Sequence, residues 1–555
     1  MNTRAKRGGF SRGTALTVTA FAFCYLVLLV HVAYLGVVAE DAYISFRFAK
    51  NLAAGNGLVW NVGEPPIEGY TNFLWVLMAA AGMALGLDVE RLAPAMGVAA
   101  SLAALAYAYF FVRKLLGGGR ISSLVPCALL AVAGPFATWA GSGMETNLFA
   151  LLLLATCYHG AAHWQSGSKL HLIVSFLLCF LATLTRPEGL GVFVVVLGVH
   201  STVAILRKDR GALLRLLRVS LVAYGTCFLA YLLWRLSFFD QLLPNTFYAK
   251  TGGSIAQSYR GAMYVLYFSF HFLLPLLPLG LLAASEASDP RRVRSRDLMG
   301  SIARQPGRWA GNLLCLSVFV SYTLYIALVG GDYMAMYRFF VPVLPLAYIL
   351  FARASGVLFD GPAVPPTRRL LGGLCVVIAL VGTLMHSTPA EQRLWTKSRI
   401  THGQFRGVQT ERWHSRRLAL IGRFLNEYKS SADESVAAKG IGAVSYFADM
   451  RVYGLYGLTD PAIARQKPDG LGRGMPGHEK MDVGHVLSKK PTYFIFSREL
   501  TDLPQDYPAF SAEVDETLRR EYDIVAQKIE DEANGEAGYF TFLQRKNAGR
   551  TASGG

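Results

Sequence analysis

Long apolar stretches alternate with short charged segments along most of the chain. A helix needs about 20 apolar residues to cross a bilayer core, and it satisfies its own backbone hydrogen bonds there. The pattern therefore predicts a polytopic α-helical membrane protein with about 11 transmembrane helices. The predicted spans are Thr14–Val37, Leu92–Val112, Ile121–Ala140, Asn147–Ala162, Leu170–Leu184, Pro187–Ile205, Arg218–Ser237, Ala262–Ala284, Trp309–Val329, Arg338–Ala354 and Leu370–Ser387.

One further apolar stretch, Thr71–Leu87, decides the topology. If it crossed the membrane, the basic segment Arg113–Arg120 would lie outside, against the enrichment of Lys and Arg in cytoplasmic loops. We therefore predict that it is an interfacial helix in the first outer loop, that the N-terminus is cytoplasmic and that the first helix is not cleaved. The cytoplasmic basic segments are then Arg4, Lys6, Arg7 and Arg12, followed by Arg113–Arg120, Arg207–Arg218, Arg291–Arg308 and Arg368-Arg369.

The composition of the chain agrees with a membrane protein. Of the 555 residues, 53% are hydrophobic and 16% are charged, and the net charge of +17 is explained by the cytoplasmic loops rather than by nucleic acid. All seven cysteines lie in apolar stretches, and H-E-x-x-H, P-loop and Rossmann motifs are missing from the sequence. No cofactor and no metal ligand is predicted, while a dependence on a divalent metal is left open.

The composition changes after Ser387, where charged and polar residues become frequent. Strand-like stretches at Thr492–Ser497 and Tyr539–Leu543 predict a small extracytoplasmic α/β domain. The predicted domains are thus the transmembrane domain, 1–387, and this outer domain, 388–545. Residues 546–555, rich in Gly, Ser, Ala and Arg, are predicted to be a disordered tail.

The unusual polar residues all fall in predicted outer segments, so they could line one cavity. The acidic pair Glu40-Asp41 follows the first helix. It can be interfacial, paired with Arg47 or Lys50, or one carboxylate can be the general base that deprotonates a sugar acceptor. A phosphate leaving group is a weak base, so this chemistry does not need the second carboxylate that glycoside hydrolases use.

The other outer motifs also allow two interpretations each. Arg186 and Glu188 can pair with one another, or Arg186 can hold a phosphate while Glu145 orients sugar hydroxyls. Lys250 can reach the membrane surface, or it can bind a phosphate with Asn245 and Tyr248 as sugar or lipid contacts. Asp332 and Arg338 can form an ion pair or bind substrate. Other candidates for substrate binding are Arg47, Glu68, Tyr70, Asn72, Glu188, His478, Glu479 and Lys480.

Together these motifs resemble the GT-C glycosyltransferases, close to the mycobacterial arabinofuranosyltransferases of the AftB type. The matching segments are Glu40–Arg47, Glu68–Trp75, Gly143–Thr146, Thr185–Gly189, Pro244–Lys250, Gly330–Met334, Gly457–Asp460 and Gly477–Lys480. The resemblance implies an inverting transfer, outside the cytoplasmic membrane, of a sugar such as arabinofuranose from a polyprenyl-phosphate donor such as decaprenyl-phospho-arabinofuranose. The acceptor would be a cell-surface glycan or glycoconjugate.

The same resemblance implies that Asp41 is the catalytic base and that Glu40 supports it. The family commonly has Asp-Asp here, so Glu40 is a departure that changes reach and geometry. Lys250, Arg186 and Arg338 are the candidate neutralisers of the lipid phosphate. Two alternatives remain from the residues: a transporter or flippase of lipid-linked sugars, and a GT-C enzyme that uses another sugar or a protein acceptor such as pilin.

Overall fold

The computed structural model describes residues 12–250, 254–287, 298–360, 364–387, 407–468, 471 and 473–546. The basic residues Arg4, Lys6 and Arg7, the predicted domain boundary after Ser387 and the predicted tail beyond Lys546 lie outside these residues. The helices up to Ser387 are α1 (Arg12–Leu35), α2 (Ala42–Ala53), α3 (Phe73–Ala84), α4 (Val89–Phe110), α5 (Arg120–Val132), α6 (Gly134–Ala140), α7 (Thr146–Ser166), α8 (Lys169–Thr185), α9 (Gly189–Leu206), α10 (Arg210–Ser220), α11 (Thr226–Phe239), α12 (Asn245–Lys250), α13 (Ile255–Phe268), α14 (Leu277–Ala287), α15 (Leu298–Arg304), α16 (Pro306–Val329), α17 (Leu344–Phe359) and α18 (Pro366–Met385).

Short π-helical and 3₁₀ turns extend several of these helices. Five-residue π-helical turns occur at Phe111–Leu115, Leu221–Gly225 and Ser269–Leu273, and 3₁₀ turns occur at Leu274–Leu276 and Arg338–Val343. The π turns at Phe111–Leu115 and Leu221–Gly225 join onto neighbouring α-helices, so α4 continues to Leu115 and α10 continues into α11 as a single long apolar helix.

Each of the predicted spans overlaps one helix or several consecutive helices. Among the described residues, eight helices are long and apolar enough to cross a membrane, and α5 with α6, bent by 64°, gives a ninth if the pair is one span. The predicted number of spans therefore stays a prediction. Helix α3 has only 12 residues, which is about 18 Å at the usual rise per residue. That length is too short for a hydrocarbon core of about 30 Å, as expected of an interfacial helix.

The segment after residue 407 forms an α/β unit. Its helices are α19 (Val408–Tyr428), α20 (Gly442–Ala448), α21 (Pro461–Ala464), α22 (Val483–Ser488) and α23 (Ala512–Glu521). Its strands are β1 (Ser435–Ala438), β2 (Arg451–Gly454), β3 (Tyr493–Phe494), β4 (Leu500–Thr501), β5 (Tyr522–Asp531) and β6 (Glu536–Arg545). The predicted strand segment Thr492–Ser497 contains β3, and the predicted segment Tyr539–Leu543 lies within β6. We call residues 407–546 the outer domain.

These strands form one mixed sheet. Strand β1 pairs in parallel with β2 and β3, whereas β6 pairs antiparallel with β3, β4 and β5. Val436 is opposite Val452 and Tyr493, and Phe494 is opposite Leu543. Helix α19 packs on α20, and α20 packs on α2 of the first outer loop. The outer domain thereby contacts the segment that begins with Asp41 through α20.

Candidate active site

A cavity of about 440 Å³ lies where the loops that the sequence predicts to be outside meet residues 407–546. Its wall combines the start of α2, the α8–α9 junction, α12, the segment after α16 and two loops of the outer domain. The predicted site residues that line it are Asp41, Tyr70, Asn72, Glu145, Arg186, Glu188, Lys250, Asp332 and Arg338. Residues from six separate segments of the sequence therefore meet in one cavity.

Asp41 lies at the start of α2, and its side chain is 20% exposed. The carboxylate does not cap α2. Among the described residues, its nearest charged partner is Arg338, whose Nη1 lies 3.8 Å from Oδ2 of Asp41. That distance is beyond a hydrogen bond. Asp41 thus presents to the cavity a carboxylate that is close to a positive charge and that accepts no hydrogen bond from the described residues.

Glu40, the neighbour of Asp41, points elsewhere. It is 7% exposed, it does not line the cavity, and its Oε1 accepts a hydrogen bond of 3.2 Å from the amide of Ala443 in the outer domain. Burial, followed by the negative charge of Asp41, raises the pKa of Glu40 to about 8. The two members of the acidic pair therefore have different surroundings, with one in the cavity and one in a domain contact.

A buried ion network forms one wall of the cavity. Pro187 disfavours helical backbone in the residue before it, so α8 ends and Arg186 is extended, with φ −154° and ψ 139°. The Arg186 guanidinium binds Glu145 at 2.8 Å and Glu188 at 2.9 Å. Asn72 donates a 2.8 Å hydrogen bond to the other oxygen of Glu145. Both interpretations of Arg186 and Glu188 remain open, because the ions pair with one another and also face the cavity.

The glycine pair after α16 determines the shape of a second part of the cavity wall. Gly330 and Gly331 have φ of +90° and +70°, which glycine adopts without strain. A Cβ on Gly331 would lie 2.7 Å from the Tyr264 ring. The resulting turn brings Asp332 into the cavity, where its Oδ2 accepts a 2.6 Å hydrogen bond from Nε of Arg338. Asp332 and Arg338 are therefore an ion pair in the cavity wall.

Lys250, at the end of α12, lines the cavity without an ion-pair partner among the described residues. Its methylenes lie along Gly477 of the outer domain, where a Cβ would be 3.4 Å from Cγ of Lys250. Burial lowers the pKa of Lys250, whereas the charge of Asp41 raises it. The described part of the cavity wall thus holds one lysine whose charge is not matched by a bound carboxylate.

Three predicted site residues instead hold α12 in place. Asn245 donates hydrogen bonds of 2.8 and 2.9 Å to the carbonyls of Gly457 and Leu458. Lys480 donates to the carbonyl of Tyr248 at 2.6 Å and to that of Ala464 at 2.8 Å. The side chains of Asn245, Tyr248 and Lys480 are not part of the cavity wall.

The remaining predicted residues lie outside the cavity wall as well. Arg47 donates to the carbonyls of Trp60, Ser445 and Met450 and to the side chain of Asn61. Glu68 is buried against Arg235 at 2.6 Å. His478 packs its ring on Tyr333 and Tyr456, and Glu479 pairs with Arg260 at 3.2 Å. These contacts connect elements around the cavity.

Several lining residues were not predicted from the sequence. They are Ser45, Thr246, Gln257, Arg260, Tyr325, Tyr333 and Phe339. Arg260 and Gln257 lie on α13, where their three-residue spacing on an otherwise apolar helix was the available signal. Tyr325 donates a 2.9 Å hydrogen bond to Glu188. Within the described residues, no three His, Cys, Asp or Glu side chains are grouped so that they could hold a metal ion.

Comparisons with known proteins agree with this architecture. Residues 403–542 match a family model described only as a domain of unknown function, DUF8728. The chain is 28% identical over 274 residues to the terminal β-(1→2)-arabinofuranosyltransferase of Mycobacterium tuberculosis, covering 46% of this chain and 42% of that protein. It is 28% identical over 327 residues to the enzyme of that name from Corynebacterium glutamicum, covering 54% and 45%. The chain thus spans less than half the length of these relatives.

A solved structure extends the similarity to nearly the whole chain. ArnT from Cupriavidus metallidurans, in the apo state, aligns with a TM-score of 0.54 and 13% identity over 96% of this chain and 98% of that one. The predicted GT-C fold is confirmed by this likeness, and the resemblance to arabinofuranosyltransferases is confirmed by the two relatives. The chain is a multi-pass membrane protein.

Proposed function

We propose that this protein is an inverting membrane glycosyltransferase that uses a polyprenyl-phosphate sugar. The observation that carries the proposal is that one cavity holds a carboxylate, Asp41, and an ammonium, Lys250. Within the described residues, the carboxylate of Asp41 accepts no hydrogen bond and the ammonium of Lys250 has no carboxylate partner. A base and a phosphate-binding cation are the two groups that this reaction requires.

Asp41 is the base in the proposed step. It takes the proton of an acceptor hydroxyl while the hydroxyl oxygen forms a bond to the anomeric carbon of the donor sugar. The bond between that carbon and the phosphate oxygen breaks on the opposite side, so the configuration inverts. The electron pair of the broken bond leaves with the polyprenyl phosphate, which gains one negative charge.

The other carboxylates of the cavity are less suited to this role. Glu145 and Glu188 are bound to Arg186, and Asp332 is bound to Arg338 at 2.6 Å. A carboxylate oxygen that is hydrogen-bonded to a guanidinium is less available to take a proton from an acceptor hydroxyl. Asp41 is 3.8 Å from the nearest guanidinium nitrogen, Nη1 of Arg338, so no guanidinium hydrogen bond occupies its oxygens.

Lys250 is the best candidate for the phosphate site. Arg186 and Arg338 are already bound to buried carboxylates. Their positive charges offset the free-energy cost of burying those carboxylates. Lys250 can meet the charge that appears on the leaving phosphate. Apolar residues around it, Leu243, Pro244 and Phe247, suit the first units of a polyprenyl chain.

Arabinofuranose is the proposed donor sugar, since both sequence relatives are named arabinofuranosyltransferases. The proposed donor is decaprenyl-phospho-arabinofuranose, and the proposed acceptor is a cell-surface glycan. Asn72 and Glu145 are hydrogen-bonded to one another and both line the cavity, so we propose that they contact sugar hydroxyls. We also propose that the N-terminus is cytoplasmic and that the cavity and the outer domain face the opposite side of the cytoplasmic membrane.

The test is transfer from decaprenyl-phospho-arabinofuranose to a synthetic arabinan oligosaccharide by the purified full chain in detergent. We expect Asp41→Asn to lower kcat by about 10²–10⁴-fold, the usual contribution of a general base. The matched control is Asp88→Asn, because Asp88 caps α4 outside the cavity wall and asparagine caps a helix equally well. Unimpaired turnover by Asp41→Asn would remove Asp41 from the mechanism. A transporter would give no transfer product with the wild-type chain.

A further inference from the structure

The residue before Asp41 is in direct contact with the outer domain. Oε1 of Glu40 accepts the amide hydrogen of Ala443. The backbones of the two segments also approach closely, because a Cβ on Gly442 would lie only 2.1 Å from the carbonyl oxygen of Glu40. The start of α20 is therefore fitted against both the side chain and the backbone of Glu40.

The rest of α2 continues this contact. Nη1 of Arg47 donates to the carbonyl of Ser445 at 2.5 Å, and Lys50 pairs with Asp449 at 2.7 Å. The ring of Tyr43 packs on those of Tyr446 and Phe447, at centroid distances of 5.5 and 5.3 Å. One side of α2 is thus bound to α20 from its first turn to its last.

Asp41 lies between these contacts and the cavity. Its carboxylate receives no hydrogen bond from the described residues, so its position depends on the backbone on either side of it. That backbone is fixed by Glu40 on one side and by α2 on the other. We propose that the outer domain positions Asp41 for proton transfer through its contact with Glu40, which makes Glu40 a positioning residue and not a second base.

This inference rests on the proposed role of Asp41 and assigns a task to the segment that matches a domain of unknown function. What the contact requires of residue 40 is an oxygen that reaches Ala443, not a charge. Burial and then the charge of Asp41 raise the pKa of Glu40 to about 8, in agreement with this requirement. Glutamine supplies the same acceptor at the same reach, whereas aspartate is shorter by one methylene.

Three variants at residue 40 test the proposal in the transferase assay. We expect Glu40→Ala and Glu40→Asp to lower kcat by about 100-fold, the effect of a displacement of about 1 Å of a reacting group. The KM for the polyprenyl-phosphate donor should stay unchanged, because Glu40 does not line the cavity. Glu40→Gln should restore kcat to within about threefold of wild type. A charged partner of the base would give the opposite order, with aspartate tolerated and glutamine not.

A second pair of variants approaches the contact from the outer domain. Gly442 begins α20, and its Cβ would meet backbone atoms of Glu40, so Gly442→Ala should displace Glu40. Gly484 is an exposed residue in the first turn of α22, where the nearest atom to a Cβ is 3.7 Å away. We expect Gly442→Ala to lower kcat by about 10–100-fold and Gly484→Ala to leave it unchanged.

The outcomes separate this inference from the proposed function. Kinetics are measured on variants whose thermal unfolding and size-exclusion profiles match wild type. If the substitutions at residue 40 fail this requirement, Gly442→Ala is used to test the inference, and the reverse also holds. Wild-type kcat in both Glu40→Ala and Gly442→Ala would overturn the inference and leave Asp41 as base. Loss of activity in Glu40→Gln with retention in Glu40→Asp would also overturn it. Full activity of Asp41→Asn would instead overturn the proposed function.

Discussion

Replacing Lys250 by methionine distinguishes a phosphate site from a buried ion network. The substitution keeps the length and most of the apolar stem that lies along Gly477, and it removes the charge. No carboxylate among the described residues is bound to Lys250, so its loss leaves no buried anion unpaired. We expect the stability of the protein to change little and its activity to fall strongly.

The expected loss of activity can be estimated from the charge. An ammonium and a phosphate oxygen about 4 Å apart interact by about 4 kcal/mol at the effective dielectric constant of about 20 that suits protein sites. Each 1.4 kcal/mol corresponds to about a tenfold change in rate. The phosphodiester of the donor already carries one charge, and the second appears as the sugar leaves. We therefore expect kcat/KM to fall by about 10²–10³-fold in Lys250→Met.

The assay is transfer from decaprenyl-phospho-arabinofuranose, with thermal unfolding measured on the same preparations. Lys528→Met is the matched control, because Lys528 is exposed on β5 of the outer domain. The reasoning is refuted if kcat/KM of Lys250→Met stays within threefold of wild type. It is also refuted if the variant unfolds at a clearly lower temperature, since Lys250 would then be structural.

Two further predictions concern stability. Arg186→Met should lower the free energy of unfolding by about 3–5 kcal/mol, because it leaves Glu145 and Glu188 buried without a cation; an unchanged denaturation midpoint would contradict this. Burial and then the charge of Asp41 raise the pKa of Glu40 from its ordinary value of 4.5 to about 8. The unfolded chain then releases this proton first as the pH rises, so stability should fall from about pH 5 to about pH 8 and level off above. Glu40→Gln should remove that fall, and parallel melting-temperature curves for the two proteins would contradict it.

Hydrophobic patterning was sufficient for the helical architecture. Each predicted span is helical in the structure, although Ile121–Ala140 is divided into α5 and α6, and the stretch Thr71–Leu87 contains the short helix α3. Such patterns depend only on which residues avoid water, which is a local property of the sequence. The bend between α5 and α6 was not predicted, because Gly134 and Pro135 can equally lie within a kinked helix or between two helices.

Most of the predicted segments contribute to the cavity wall, whereas several of the predicted side chains do not line it. Asp41, Arg186 and Asp332 all line one cavity, and each lies next to the end of a predicted span. Lys480, in contrast, does not line the cavity and donates hydrogen bonds to the carbonyls of Tyr248 and Ala464. A motif of polar residues in a loop does not tell which members face a ligand and which satisfy neighbouring backbone groups.

The helical period of α2 would have resolved part of this ambiguity. Residues three and four apart lie on one face of a helix. Asp41, Ile44 and Ser45 follow that spacing and line the cavity. Tyr43, Arg47 and Lys50 follow it too, and all three contact the outer domain. Arg47 therefore belongs by its position to the domain contact, and the same helix that carries the proposed base is also the part of the transmembrane domain that the outer domain holds.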